Sequence, residues 1–409
     1  MSTAAATLAT EDLESLLRRR LRRSLDGSVL EHRTATVVLD TGHSQWTVEL
    51  LRGTPRVRRG AALRPTLVVR GSQQVLTEVV AGRASGVHSF LDGEITVRGN
   101  LALSLQLDGL FSSDGKDAEG SPRPVEFPRS QSVTAMGIRT AYLEAGPPDA
   151  PPVVMLHGLG ATNASLLPCL ADLARDHRVI APDLPGFGES QAPAASYTPA
   201  WFAAWLEALQ HELGARRAVL LGNSLGGRIA LEAGLTHPSS VRGLLLLTPS
   251  PAFRRLREWV PAVRLMRPEL ARLPVPLSHP LVAAGIRGMF ARPERLSKAW
   301  YDAAADEGVR VFRSRSHRVA FFATARQIFL EDAHGRHGFW DRLPALTPPA
   351  LFVWGDRDRF VPSSFARHVE NALPEARSVV LEDCGHVPQF EQPDRTMALV
   401  RDVLSALPD

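Results

Sequence analysis

Residues 218–229 read Ala218-Val219-Leu220-Leu221-Gly222-Asn223-Ser224-Leu225-Gly226-Gly227-Arg228-Ile229. A short apolar run passes through GxSxG directly into an Ala/Leu-rich, helix-forming continuation, so the serine falls at a strand-to-helix turn, the arrangement of a nucleophile elbow. The spacing has a steric logic. A turn this sharp strains the backbone of Ser224, and Gly222 and Gly226 lack the Cβ atoms that would strike neighbouring chain. Ser224 is then expected to stand at the carboxyl end of a strand, with N–H groups of the next helix aimed at the same spot, where they stabilise an oxyanion. Glycine and serine are also ordinary turn residues, so the meaning of the stretch depends on its surroundings.

Those surroundings alternate between two periods. Apolar runs at 153–156, 219–221, 244–247, 351–354 and 378–381 read as buried strands, with helices near 198–213, from 225 onward and at 364–373. Such alternation specifies a parallel sheet with helices on both faces. Residues 132–145, with Met136-Gly137 between two alternating segments, read as an entry hairpin.

Five motifs then follow in order: HGLG from His157, DLPGFGES from Asp183, GNSLGG from Gly222, GDRDRFVP from Gly355 and GHVPQFEQP from Gly385. This ordered set resembles the α/β-hydrolase superfamily, and the resemblance covers residues 132–409. It implies an α/β-hydrolase fold with a helical lid at about 249–346. A serine hydroxyl is a poor nucleophile until a base takes its proton. His386 lies after the last strand, where the family places that base. A carboxylate must then fix the imidazole tautomer. Asp358, in the GxxDxxxP pattern of Gly355, Asp358 and Pro362, is the preferred acid; Asp356 and Asp383 stay open as alternatives. The oxyanion hole is expected from the backbone N–H groups of Leu159 and Leu225. His157, Asp183 and Ser190 read as residues that tie down loops. Helical fragments are expected at 261–266, 281–290, 296–305 and 319–329, with Leu277, Met289, Phe290, Trp300, Phe321, Phe322 and Phe329 either lining an apolar pocket or packing lid to body. His334 and His337 are spaced for a metal on a helix, but Gly335 intervenes and no carboxylate completes a site, so no metal is expected.

The first part of the chain has a different character. Glu11, Asp12 and Glu14 precede leucines at helical spacing, and Arg18, Arg19, Arg20, Arg22 and Arg23 close the segment, a charge order that suits a helix dipole. Strand-like segments follow at 36–39, 46–50, 56–58 and 66–69, with Trp46, Val48 and Leu50 on one face. After them come a helix ending at Gly82, Phe90 before the Gly93 turn, a strand at 95–100 and apolar residues 101–107. This succession resembles the sterol carrier protein 2 (SCP2) lipid-binding domain. The resemblance implies a small α+β domain with a sheet and helices around an apolar cavity for a lipid-like ligand. The domains are therefore 1–111, a Ser/Asp/Gly/Pro-rich linker at 112–131, and 132–409.

Composition sets the outer limits. At 409 residues the chain exceeds one ordinary core. A net charge of +4 is too small to indicate a nucleic-acid protein, and the arginine clusters, including Arg254, Arg255, Arg257, Arg264 and Arg267, read as solvated faces, with an anionic-substrate role or peripheral membrane contact as the alternative. Cys169 and Cys384 fit a reducing compartment, and with no signal or spanning segment a cytoplasmic protein is expected. The reading is a cofactor-free serine hydrolase for a hydrophobic ester, with a lipid-like ligand in the N-terminal domain. The alternatives are a carbon–carbon bond hydrolase or acyl thioesterase on the same triad, or a lipid carrier with a secondary hydrolase domain. A serine at position 224 argues against epoxide hydrolases and haloalkane dehalogenases, which need an aspartate there.

Overall fold

Two sheets organise the chain, one in each of two compact units, Met1–Arg129 and Ser130–Asp409. The computed structural model describes residues 13–22, 30, 34–52, 54–111, 129–250, 271 and 277–407. The expected linker at 112–131 lies outside the described residues as far as 128, and residues 129–131 already form the start of a strand.

In the first unit the strands are β1 (Thr34–Asp40), β2 (Gln45–Leu51), β3 (Thr54–Arg59), β4 (Leu67–Gly71) and β5 (Ile95–Gly99), in the order β3-β2-β1-β4-β5. Only the β1/β4 pairing is parallel. Period-two alternation puts Trp46, Val48 and Leu50 inward, opposite Val37 and Leu39. Helices Leu13–Arg20, Gln73–Val80 and Gly86–Leu91 bury Leu13, Leu16, Leu17, Leu76 and Val80. The second and third are capped at their starts: Ser72 Oγ accepts from Val75 N–H at 3.2 Å and Ser85 Oγ from His88 N–H at 3.3 Å. Between sheet and helices lies a cavity of about 70 Å³, lined by Val37, Val48, Val69, Leu76, Val87, Phe90, Val97 and Leu105 among others.

The second unit holds β6 (Arg129–Ala135), β7 (Ile138–Ala145), β8 (Pro152–Leu156), β9 (Arg178–Pro182), β10 (Ala218–Asn223), β11 (Val241–Leu247), β12 (Ala350–Gly355) and β13 (Arg377–Leu381). Their order is β13-β12-β11-β10-β8-β9-β7-β6, parallel from β13 to β9 and antiparallel where β7 meets β9. Val154, Leu156, Leu220, Leu244, Leu246, Phe352 and Trp354 share one core with helices Pro199–Glu212 and Leu225–Thr236. The intervening Val153, Met155, Val219, Leu221, Leu245 and Leu247 are buried as well, so the sheet is covered on both faces.

In the lid region, helices run His279–Arg287, Lys298–Arg313 and Arg315–Leu330, the last two longer than their apolar pattern predicts. The extra turn of the first contains Glu307, buried at 4 % exposure. Arg310 Nη2 donates to Glu307 at 2.6 Å and Arg310 also pairs with Glu189 at 2.7 Å, so mutual neutralisation lets a charged turn continue the helix. The expected fragment at 261–266 and the arginines from 254 to 267 lie outside the described residues.

A second buried ion network ties the elbow helix to the end of the lid. Arg228, at 1 % exposure, donates through Nε to both carboxylate oxygens of Glu331 at 3.0 Å and through Nη2 to Glu232 at 2.8 Å, with its guanidinium over the Phe339 ring. Arg342 adds a second bond to Glu232 at 2.7 Å. Burial acts to raise the Glu232 carboxyl, but Arg228 and Arg342 outweigh it and hold the group below its ordinary range. Arg228→Met leaves two carboxylates short of their cation. The expected cost is about 3–5 kcal/mol of stability, read as a lowered urea midpoint.

Candidate active site

Ser224 closes β10 with φ 53° and ψ −113°, a conformation strained for any residue with a side chain. Its neighbours permit it only as glycines. A Cβ on Gly226 would lie 2.0 Å from the Leu156 carbonyl oxygen, and one on Gly222 would lie 2.4 Å from the Gly226 backbone. Ser224 N–H donates to Leu247 O at 3.0 Å, while Ser224 O accepts from Arg228 N–H and Ser250 N–H, both at 3.0 Å. The turn is thus held from both sides.

The loop after β13 brings His386 to the same strand ends. Asn223, directly before the serine, donates from its side-chain amide to His386 O at 3.2 Å, and Thr248 Oγ1 donates to the same carbonyl at 2.8 Å. His386 is 6 % exposed, and its Nδ1–H donates to Asp358 Oδ2 at 2.7 Å. Nε2 is left as the ring's basic nitrogen. Asp358 is fixed in turn: its Oδ1 accepts from Phe360 N–H at 2.7 Å and Val361 N–H at 2.9 Å. The two other carboxylates considered from the sequence are engaged elsewhere. Asp356 accepts from Cys384 N–H at 3.1 Å. Asp383 is paired with Arg292, Arg295 and Arg357, and Arg292 foremost keeps its carboxyl below the ordinary range.

Opposite the elbow runs the HGLG loop. Gly158 lies beside Ser224, where an added Cβ would make ordinary van der Waals contact with the serine Cβ at 3.5 Å. The N–H groups of Leu159 and Leu225 have no acceptor among the described residues. His157 anchors the loop: Nδ1–H donates to Gly158 O at 2.8 Å, and Nε2 accepts from Leu184 N–H at 2.9 Å. Asp183 secures the neighbouring turn by accepting from Asn163 N–H and Glu189 N–H, both at 2.8 Å, while burial pushes its carboxyl up to about 7. Ser190 bridges Ala141 N–H and Asp183 O.

The lid helices descend onto these loops. Phe321 stands against Gly160, where an added Cβ would meet its ring at 2.9 Å, and it packs edge-on against Phe312 and Phe322. Phe290 and Trp300 form a second aromatic group that reaches Phe390. Leu277 and Phe329 are half-buried. His334 binds Asp341 at 3.1 Å, and among the described residues no group of His, Cys, Asp or Glu is arranged for a metal.

Glu391, Met289, Asn223 and Thr248 carry structure that their place in the sequence does not announce. The buried Glu391 carboxylate accepts from Gly385 N–H at 2.7 Å and, from the lid, Ala291 N–H at 3.2 Å and Arg292 N–H at 2.6 Å. Met289 O accepts from His386 N–H at 2.7 Å. The histidine loop and the lid segment 289–292 therefore form one hydrogen-bonded piece. The available signal was Glu391 itself, a carboxylate set among Phe390, Pro388 and Pro393, where burial demands donors.

Two family models match the chain: the alpha/beta hydrolase fold over residues 151–393 and the SCP-2 sterol transfer family over 13–112. A pimeloyl-[acyl-carrier protein] methyl ester esterase of Aeromonas hydrophila is 30% identical over 61% of this chain and 94% of its own. A 2-hydroxymuconate semialdehyde hydrolase of Pseudomonas sp. is 30% identical over 67% of this chain and 93% of its own. Among solved structures, a membrane phospholipase A described as a bacterial virulence factor superposes with a TM-score of 0.57 at 28% identity, covering 68% of this chain and 86% of that one.

His157 makes the site pH-sensitive. Complete burial lowers its pKa from 6.5 to about 4, so the folded protein resists a proton that the unfolded chain accepts. Stability is then unaffected above the unfolded value and is lost as pH falls from about 6.5 toward about 4, by up to about 3 kcal/mol. His157→Gln should flatten this part of the curve, measured as urea unfolding at about pH 7.5 and about pH 5.

Proposed function

Because the chain belongs to the α/β-hydrolase family and carries an SCP2 domain ahead of the hydrolase domain, we propose that it is a serine hydrolase that cleaves the carboxylic ester of a hydrophobic substrate through an acyl-enzyme. The domain limits we assign are 1–111 and, moved back from 132 to take in strand β6, 129–409, with the lid at about 249–346. One observation carries the reading: Ser224 sits on a strained turn whose adjacent Asn223 holds the backbone of His386, while the His386 ring is bonded to the fixed carboxylate of Asp358.

In this reading Ser224 Oγ attacks the ester carbonyl as its proton passes to His386 Nε2, and Asp358 stabilises the resulting imidazolium through Nδ1–H. The carbonyl oxygen, now an oxyanion, takes the N–H groups of Leu159 and Leu225. Collapse expels the alcohol, which receives the proton from His386. Water then repeats the sequence on the acyl-enzyme, and the acid leaves with Ser224 restored. Phe321 at the oxyanion loop, with Phe322, Phe290 and Trp300 in the lid, supplies an apolar surround suited to a hydrophobic ester. No step calls for a cofactor. The likeness to a semialdehyde hydrolase supports a second reading, carbon–carbon bond hydrolysis on the same residues. A panel of acyl nitrophenyl esters against a vinylogous keto acid separates the two.

Ser224→Ala should abolish ester turnover and labelling by a fluorophosphonate while leaving the melting temperature unchanged; near-full turnover in this variant sinks the reading. Asp358→Asn should lower the rate by about 10⁴, whereas Asp356→Asn should cost little.

For the N-terminal unit we propose a lipid-like ligand in the apolar cavity. Its volume corresponds to about five water-sized spheres, enough for a short run of methylenes, so a longer chain must displace lining residues such as Phe90. Val69→Phe with Val97→Phe fills the space. The double variant should bind a fluorescent fatty acid at least about tenfold more weakly than the parent, with short-ester turnover unchanged.

A further inference from the structure

The sheet of the N-terminal unit has a second face, which the cavity does not use. Between Arg52 and Arg70 the sequence places six arginines (52, 56, 58, 59, 64 and 70) and no carboxylate. The register sorts them. Trp46, Val48 and Leu50 point to the core, so Arg56, across from Glu49 in the strand register, and Arg58, across from Thr47, project from the outer face, together with the half-exposed Leu51. β3 is moreover the edge strand of its sheet.

The β3–β4 loop folds back over this same face and is fastened there. Thr47 Oγ1 donates to Gly60 O at 2.6 Å, Gly60 N–H to Gln45 O at 2.7 Å, and Thr66 N–H to Thr36 O at 2.8 Å. Between these fixed points the tip Ala61-Ala62-Leu63-Arg64 stands out, and the Leu63 side chain is fully exposed, at 102% of its reference area. A leucine held in water on an anchored tip gains nothing from its own fold. Of the surrounding cations, Arg58 is balanced by Glu49 at 2.8 Å, whereas Arg52, Arg56 and Arg64 have no carboxylate partner among the described residues.

We propose that this outer face and the β3–β4 loop form a docking surface for an anionic lipid bilayer, with Leu63 entering the headgroup–acyl boundary and Arg52, Arg56 and Arg64 meeting lipid phosphates. Two independent signals coincide here, an apolar insertion and a cluster of unbalanced cations, and stable attachment to a membrane surface needs two. A nucleic-acid backbone would satisfy the arginines but offers no apolar depth for Leu63. Docking by the outer face also leaves the cavity on the inner face unblocked by the arginine cluster. The inference stands apart from the hydrolytic reading, since none of these residues belongs to the catalytic machinery.

The test is cosedimentation of the full chain with vesicles of phosphatidylcholine alone and of equal parts phosphatidylcholine and phosphatidylglycerol. Binding is expected to the anionic vesicles and to weaken with salt. Leu63→Asn should lower the partition coefficient about tenfold. Arg56→Gln with Arg64→Gln should lower it about 25-fold, at about fivefold per cation, and Arg56→Lys with Arg64→Lys should restore most of the binding. Melting temperature and short-ester turnover serve as folding controls. Equal binding to both vesicle types overturns the proposal, as does binding that survives the substitutions. Capture of single-stranded DNA through the same arginines, without vesicle binding, overturns it too.

Discussion

A serine at φ 53° is the constraint on which the hydrolase domain depends. The conformation is tolerable only if surrounding chain leaves room and makes bonds that other conformations would forfeit. Both conditions are met by backbone. Gly226 lets the elbow helix approach the Leu156 carbonyl at a distance that excludes any Cβ, and Leu247 O, Arg228 N–H and Ser250 N–H fasten the turn. The parallel order β8-β10-β11 follows as a requirement, because it is β8 that supplies Leu156 and β11 that supplies Leu247. Fold and strained turn are therefore mutually conditional: the sheet makes the turn affordable in free energy, and the turn sets how closely helix and sheet must pack.

The histidine is placed by a different means. Its ring is oriented by one carboxylate, but its backbone is held by Asn223, Thr248 and Met289, that is, by the residue before the serine, the residue after β11 and the lid. Glu391 then joins the lid segment to Gly385 through three N–H donors. A buried carboxylate with three donors and Arg295 at 3.9 Å is well satisfied, so the joint is stiff. Movement of the lid must consequently pivot away from residues 289–292 or disturb the position of His386. Helices Lys298–Arg313 and Arg315–Leu330 lie beyond that joint, and they are held to the body by apolar packing of Ala320 and Phe321 and by charge pairs such as Arg310–Glu189.

Legibility in the sequence followed how local each interaction is. The strands of the second unit were readable because a sheet covered on both faces needs unbroken apolar runs, as in 244–247. The elbow and the GxxDxxxP carboxylate were readable because their geometry is set within a few residues, Asp358 accepting from N–H groups only two and three positions away. The lid helices were under-read where Glu307 and Arg310 interrupt the apolar pattern, since a charge neutralised by a partner in space looks in sequence like a solvated one. The role of Glu391 is not legible in its motif for the same reason: two of its three donors lie about a hundred positions earlier. Strand residues 129–131 were read as linker because Arg-Ser-Gln is polar, while β6 sits at the sheet edge and is mostly exposed or half-buried.

The two sheets show how the same alternation rule serves different ends. In the hydrolase domain both faces are sealed by helices, and the candidate site lies at the strand ends, where loops from β8, β10, β12 and β13 converge. In the N-terminal unit the inner face is closed imperfectly, since helices capped by Ser72, Ser85 and Asn100 meet the sheet without filling the space. An apolar void kept open forgoes dispersion contacts along its whole lining, which in a small domain is a sizeable share of the stability available. An apolar guest would recover those contacts. An occupant of the cavity would therefore stabilise the N-terminal unit by the contacts it restores.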